Sequence, residues 1–179
     1  MQISEELIHK CKKNERAAMA ELFRLLAPTV KGICYRYSGN VSDAEDLLQE
    51  TFITVFTKIH TFKMQGSFEG WVRRIAVNNS LNWLKKNKNV LQSYPMKPQY
   101  DIEEDQEEDS LVEEHQADLM KHIASLPDGY RTILNLFAIE GLSHKEIGEQ
   151  LGINESTSRS QYTRAKRALQ HLFAKEKEQ

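Results

Sequence analysis

Glycine, proline and cysteine are scarce in this chain, and each scarcity excludes a class of structure. Only 8 glycines and 4 prolines occur among 179 residues. Because an all-β protein needs many bounding turns, the sequence predicts an all-α fold with long helices. The two cysteines, Cys11 and Cys34, form no closely spaced pair, which favours simple burial in a reducing compartment over a disulfide.

Long apolar runs and catalytic motifs are missing as well. No stretch of 18 apolar residues occurs, which excludes a membrane-spanning helix. The first residues, MQISEELIHKCKK, lack the apolar segment of a signal peptide, so we expect a cytoplasmic protein without membrane insertion. The motifs HExxH, GxxxxGK[ST], GxGxxG and GxSxG are absent. We therefore predict no catalytic site, metal or cofactor, and a small helical enzyme is the weakest alternative.

The formal net charge of −2 conceals three blocks of different sign. Residues 1–95 carry 14 basic and 9 acidic side chains, residues 96–118 carry 1 and 10, and residues 119–179 carry 9 and 7. Near the start of the acidic block two prolines, Pro95 and Pro98, precede a run of like charge from Asp101 to Asp109 that cannot bury itself or pair locally. The sequence thus predicts two small helical domains, at 1–90 and 113–179, joined by a flexible acidic linker at 91–112.

Apolar residues recur at helical spacing through the first domain. Asn14 is a candidate N-cap for a helix over residues 15–26, and Pro28 is a candidate start for the next helix. Ser42, with Glu45 three residues later, predicts a capping box for a strongly amphipathic helix.

The second domain ends in the pattern of a helix-turn-helix. Ser143 can cap a short helix over residues 144–151, Gly152 supplies a turn with positive φ, and Asn154 or Ser156 can cap a second helix. In such a motif the second helix enters the DNA major groove. Because this helix has no acid between residues 156 and 174, DNA binding is favoured over an ordinary solvated basic helix. The predicted contacts are Ser156, Thr157, Arg159, Ser160, Gln161, Arg164, Lys166 and Arg167.

Two segments carry a family resemblance. The sequence DAEDLLQETFITVF, followed by GSFEGWVRRIAVNNSLNWLKK, resembles the core-binding and −10-binding segments of the extracytoplasmic-function (ECF) RNA polymerase sigma factors, group 4 of the sigma-70 family. LPDGYRTILNLFAIEGLSHKEIGEQLGINESTSRSQYTRAKRAL resembles their −35-binding domain. The resemblance implies a sigma factor that binds core RNA polymerase and directs promoter-specific initiation, reading the −10 element as a single strand and the −35 element as duplex.

The resemblance also implies a polymerase-binding surface on the helix that begins near Ser42. Its exposed face would dock on the clamp helices of the largest polymerase subunit, with the acids meeting basic residues. A further contact with the polymerase flap region is implied for the chain. By periodicity alone, an ordinary solvated face explains the pattern equally well. The implied docking residues are Asp43, Asp46, Gln49, Glu50 and Ile53.

A polar, basic stripe on the helix over residues 68–86 is implied to bind the −10 element. Asparagine within a basic stripe suits phosphates and a base edge. By resemblance, Asn78 and the loop over residues 62–67 hold a base flipped out of the stack. Trp71 and Trp83 lie among apolar residues and are interpreted as core. The implied −10 contacts are Phe62, Lys63, Met64, Gln65, Ser67, Arg74, Asn78, Asn82, Lys85 and Lys86.

Two residues depart from the family pattern in the helix-turn-helix. Ser158 stands where an apolar residue is usual, so we expect looser helix packing, and Gln161 stands where arginine is common, so we expect altered −35 readout. The resemblance further implies an anti-sigma factor as a partner. The alternative is a helix-turn-helix repressor or activator with a dimerising or ligand-sensing first domain, which would leave the acidic helix face without a function.

Overall fold

The computed structural model describes residues 3–87 and 116–177, and within these ranges the chain is helical with no strand. The chain divides into two compact units, Met1–Lys86 and Asn87–Gln179. The predicted all-α fold with two helical units is therefore confirmed. The predicted acidic linker at 91–112 lies outside the described residues.

The first unit is built from four α-helices. Leu22, Val30, Ile33 and Leu47 are fully buried in its core, and the second and third helices pack against each other. A 3₁₀ turn, Ile59–Thr61, follows the third helix. The helices are α1 (Glu5–Lys12), α2 (Arg16–Ser38), α3 (Val41–Lys58) and α4 (Phe68–Asn87).

Helix α2 differs from the prediction, because it runs unbroken from Arg16 to Ser38 with Pro28 inside it. A proline inside a helix removes one backbone hydrogen bond. Here Pro28 is exposed, while Leu26 and Val30 on the opposite side are buried in the core. Burial of that apolar face holds the two predicted segments together as one helix. Asn14 is not its N-cap; it has a φ of 59° in the turn between α1 and α2.

The N-cap of α3 is Asn40, not Ser42 as the capping-box pattern predicted. The Asn40 side-chain oxygen accepts a hydrogen bond from the Asp43 N–H at 2.9 Å, and its Nδ2 donates to the Asp43 carboxylate at 2.5 Å. Gly39 ends α2 in the left-handed region at φ 79°. The chain thus turns at Gly39 and starts the next helix two residues earlier than predicted.

The second unit places short helices around a long one. Ile123, Leu126, Tyr130 and Leu169 belong to its buried core. Buried Arg131 donates to the carbonyl oxygens of residues 124 and 126 at 2.6 and 2.9 Å and pairs with the Asp128 carboxylate, so backbone acceptors and a carboxylate both stabilise its charge. The helices are α5 (Gln116–Ser125), α6 (Asp128–Leu134) with a π-helical turn (Asn135–Ile139), α7 (His144–Leu151) and α8 (Glu155–Lys177).

Helices α7 and α8 form the predicted helix-turn-helix. Ser143 and Glu146 make a reciprocal capping box at the start of α7, and Gly152 ends α7 at φ 72°. Gly148, inside α7, lies against the turn: a Cβ added there would stand 2.7 Å from the Ile153 carbonyl oxygen. The turn therefore favours glycine at two positions for different reasons, a close backbone approach at Gly148 and a positive φ at Gly152.

Candidate nucleic-acid and protein interfaces

The outer face of α3 presents the predicted docking residues. Asp46, Gln49 and Glu50 are exposed, and Ile53, a large apolar side chain one turn further along the helix, is 67% exposed. Asp43 is half-buried and already bonded to Asn40. The structure thus brings four of the five residues together on an open face, with two acids toward its N-terminal end and Ile53 at its C-terminal end.

Helix α4 divides into a buried and an exposed side. Val72, Ala76 and Leu84 lie in the core, and Asn79 donates from Nδ2 to the Thr54 hydroxyl of α3 at 3.1 Å. The exposed side carries the predicted stripe of Arg74, Asn78, Asn82, Lys85 and Lys86. These five predicted residues lie on one polar surface of the first unit.

The loop before α4 is divided in the same way. Lys63, Gln65 and Ser67 are exposed, and Met64 is half-buried. Phe62 is 5% exposed, and its ring packs 5.1 Å from Phe68 and 5.6 Å from Trp71 between centroids. The Phe62 ring is therefore part of the core beneath the loop, and Trp71 lies in the same aromatic cluster.

A cavity of about 470 Å³ opens beside this loop. Its walls include Phe62, Met64 and Glu69 from the predicted −10 region, but also Ile3, Glu5 and Ile8 from the N-terminal segment. Sequence reasoning assigned no role to this segment. Nothing in its amphipathic pattern indicates that α1 would border the loop, because that contact spans more than 50 residues.

Hydrogen bonds fix both ends of this loop. Lys12 donates from Nζ to the Phe62 carbonyl oxygen at 2.6 Å. The Ser67 hydroxyl and the Ile3 N–H donate to the two carboxylate oxygens of Glu69, at 2.9 and 2.7 Å. Burial alone would raise the pKa of the Glu69 carboxyl, but hydrogen bonds from its own N–H, Ile3 and Ser67 hold it below its ordinary value of 4.5.

On α8, most of the predicted −35 residues lie at or near the surface. Ser156, Arg159 and Ser160 are exposed, while Thr157, Arg164, Lys166 and Arg167 are half-buried. Arg159 donates from Nη2 to the Glu155 carboxylate at 2.5 Å. A DNA contact by Arg159 would therefore compete with this surface ion pair.

Gln161 does not share that surface, contrary to the premise of the prediction. It is 5% exposed and lies one helical turn from buried Ala165, on the inner side of α8. Its Oε1 atom has no hydrogen-bond partner within the described part of the chain. The periodicity of α8 turns Gln161 inward, so it cannot contact a base edge in this conformation.

Ser158 also faces inward, where the structure supplies a polar partner that the sequence did not reveal. Its hydroxyl lies 3.0 Å from Nδ1 of His144, and the His144 ring stacks on Phe137 at 4.2 Å between centroids. Burial, and then the positive charge of Arg159, lower the pKa of His144. At the position where the sequence predicts looser packing, a buried hydrogen bond therefore joins α7 to α8.

Residues 3–87 and 116–177 contain no cluster of three histidine, cysteine, aspartate or glutamate side chains that could hold a metal. Across the same ranges, the helices are too short or too polar to cross a bilayer. Burial raises the pKa of the Cys34 thiol to about 11.

The chain matches two family models. Residues 22–90 match Sigma-70 region 2, and residues 116–169 match Sigma-70 region 4. Helix α1 precedes the first match. The matches therefore cover the polar α3 and α4 surfaces and the helix-turn-helix.

Curated relatives and solved structures agree with these matches. The chain is 32% identical over 172 residues to the ECF RNA polymerase sigma factor SigW of Bacillus subtilis, covering 90% of this chain and 92% of that protein. It is 37% identical over 167 residues to the ECF RNA polymerase sigma factor SigE of Mycolicibacterium smegmatis, covering 90% of this chain but only 65% of that protein. The sigma factor RpoE of Bartonella quintana, solved in complex with the anti-sigma factor NepR, has a TM-score of 0.50 at 21% identity, covering 87% of this chain and 96% of that one. CnrH, solved in complex with the cytosolic domain of CnrY, has a TM-score of 0.50 at 18% identity, covering 94% of this chain and 95% of that one. At these identities, the two structures support the fold alone.

Proposed function

The chain belongs to the ECF RNA polymerase sigma factors of the sigma-70 family, which direct the polymerase to promoters, and from that membership we propose how its surfaces divide the work. The first unit binds core RNA polymerase and the single-stranded −10 element. The second unit binds the −35 duplex. The sigma factor acts inside the cell as a specificity subunit without catalysis of its own.

The polymerase-binding role of α3 is supported by the exposure of Ile53 beside an acidic face. An apolar side chain that is 67% exposed at the edge of a polar, acidic face is typical of a protein–protein contact. The surrounding carboxylates of Asp46 and Glu50 would steer the face toward a basic partner surface. The polymerase clamp helices are the partner that the resemblance implies for this face.

The DNA-binding roles are supported by two polar surfaces, one on each unit. The α4 stripe combines basic residues with asparagine, which suits a strand whose bases are unstacked. On α8, Arg159 and Ser160 stand on the exposed face near the N-terminus of the helix, as in other major-groove helices. Lys166 and Arg167, further along, are suited to backbone phosphates.

An anti-sigma factor is proposed as a further partner. The structure of RpoE from Bartonella quintana contains an anti-sigma factor, NepR, and the structure of CnrH contains the cytosolic domain of CnrY. Because the α3 face is open, a partner that covers it would compete with core polymerase.

The experiment is transcription by core polymerase reconstituted with the purified chain on a promoter library. We expect promoter-specific run-off products and co-purification with core. The variant Asp46→Ala/Gln49→Ala should weaken core binding, whereas Glu45→Ala, on the same helix but paired with Lys31, should not. A chain that binds DNA as a dimer and neither binds core nor supports transcription would instead favour the helix-turn-helix regulator.

A further inference from the structure

Between its two anchors, the loop before α4 has a strained backbone. Met64 has a φ of 58° and Gly66 a φ of 77°, both in the left-handed region. For a residue other than glycine this conformation is uncommon and costs free energy, so it persists only where the surroundings enforce it. Both residues line the cavity. The strained segment and the cavity are thus one structural feature.

The N-terminal segment (residues 3–12) supplies contacts on both sides of that segment. Lys12 holds the Phe62 carbonyl at the start of the loop. At its end, Glu69 accepts from Ser67 and from the Ile3 N–H, so the same carboxylate joins the loop to the N-terminal segment. Ser67 further accepts from the Gly70 N–H at 3.1 Å. The loop is therefore fixed at both ends by residues that precede the region 2 match.

The cavity is open to solvent, and its lining is polar and apolar in about equal parts. Ile3, Ile8 and Phe62 give apolar walls, whereas Glu5 and Glu69 bring carboxylates. Carboxylates accept hydrogen bonds from the exocyclic amino groups of bases, and thymine has no such group. Apolar walls with a few placed acceptors are what a small planar ligand requires.

We propose that the N-terminal segment forms part of the site that binds the single strand. Lys12 is a positioning residue that keeps the loop in its strained form. Glu5 gives the cavity a preference for an extruded base with an exocyclic amino group. The proposal rests on the proposed −10 role of this surface. It adds residues that neither the family match nor the polar stripe includes.

The test uses holoenzyme reconstituted from core polymerase and the full chain. The probes are single-stranded oligonucleotides made from the promoter that wild-type holoenzyme selects, with each −10 position changed in turn to the four bases or to an abasic sugar. We expect one position where thymine or an abasic sugar weakens wild-type binding by about tenfold. Lys12→Met keeps a side chain of similar length but removes the hydrogen-bond donor, and it should abolish most of the discrimination between bases at that position.

Lys13→Met is the matched control, because Lys13 is exposed and its loss changes the net charge by the same amount. If Lys12 instead contacted a phosphate directly, Lys12→Met would weaken the binding of all oligonucleotides evenly and would reduce the salt dependence of binding. A positioning role instead changes base discrimination and leaves the salt dependence equal to that of Lys13→Met. An even loss across the panel therefore overturns the proposal.

A second pair of variants keeps the test decisive if Lys12→Met folds poorly. Glu5→Gln should narrow the difference between cytosine and thymine at the sensitive position without reducing the penalty for an abasic sugar. Glu6→Gln, whose side chain pairs with Lys10, should change neither. If wild-type holoenzyme discriminates but Lys12→Met or Glu5→Gln binds with the wild-type pattern, the role of the segment is refuted. If wild-type holoenzyme shows no base preference at any position, the proposed −10 function itself fails.

Discussion

Replacing Gly148 by alanine should destabilise the helix-turn-helix, although alanine is the better helix former. In a helix interior, alanine is favoured over glycine by about 0.5–1 kcal/mol. At this position, however, the new Cβ would stand 2.7 Å from the Ile153 carbonyl oxygen, and that oxygen belongs to the backbone of the turn. Overpacking of this kind costs about 1–3 kcal/mol.

The clash should exceed the gain in helix propensity because the turn has little freedom to move. The N–H groups of Gly152 and Ile153 both donate to the Gly148 carbonyl, at 2.8 and 3.0 Å. Shifting Ile153 away from the new methyl group would strain these bonds. We therefore expect a net loss of about 1–2 kcal/mol in the free energy of unfolding of the second unit, a factor of roughly 5–30 in its equilibrium constant.

Gly32→Ala is the matched control. Gly32 is an exposed residue inside α2, and a Cβ added there meets no atom within 4 Å. Its replacement should stabilise the first unit by about 0.5–1 kcal/mol.

The assay is native-state hydrogen exchange followed by mass spectrometry on the full chain, which reports the two units separately. Exchange should accelerate in α7 and α8 for Gly148→Ala and slow in α2 for Gly32→Ala. Unchanged or slower exchange of α7 in Gly148→Ala would refute the argument that the close approach of Gly148 to the Ile153 carbonyl makes the substitution destabilising.

Three further changes test caps, protonation and DNA contacts. Asn40→Ala should cost about 1 kcal/mol of stability in the first unit by thermal melting, whereas Ser42→Ala should be near neutral, and the reverse order would restore the predicted capping box. Folding lowers the pKa of His144 from 6.5, so the unfolded second unit binds more protons than the folded one. The stabilising contribution of neutral His144 should therefore be complete above pH 6.5 and should fall as the pH drops below that value. Thermal melts across the pH range should show this dependence in the wild-type chain but not in His144→Phe. Arg159→Ala should relax specificity at one −35 position by about 1–3 kcal/mol, whereas Lys166→Ala should weaken all duplexes evenly and lower the salt slope; identical behaviour on a sequence panel would refute the division between base and phosphate contacts.

The sequence alone was enough for the helical class and for the local signals that end and start helices. Ser143 with Glu146 forms the expected capping box, and Gly152 has the expected positive φ. These features depend on residues within one or two turns of each other, so their physics is readable from the sequence. The amphipathic pattern of α3 likewise placed Asp46, Gln49 and Glu50 outward.

Tertiary packing decided the features that depend on distant partners. Local rules predict that a helix ends at Pro28, but burial on the opposite side of α2 keeps the helix continuous. The same rules predict a packing defect at Ser158, but His144 supplies a hydrogen-bond partner for its hydroxyl. Gln161 reads as an exposed polar residue until the packing of α8 turns it inward. The clearest case is Lys12, whose bond to the Phe62 carbonyl crosses 50 residues of chain. Spacing within one helix predicts which residues share a face, but only the folded chain decides what that face meets.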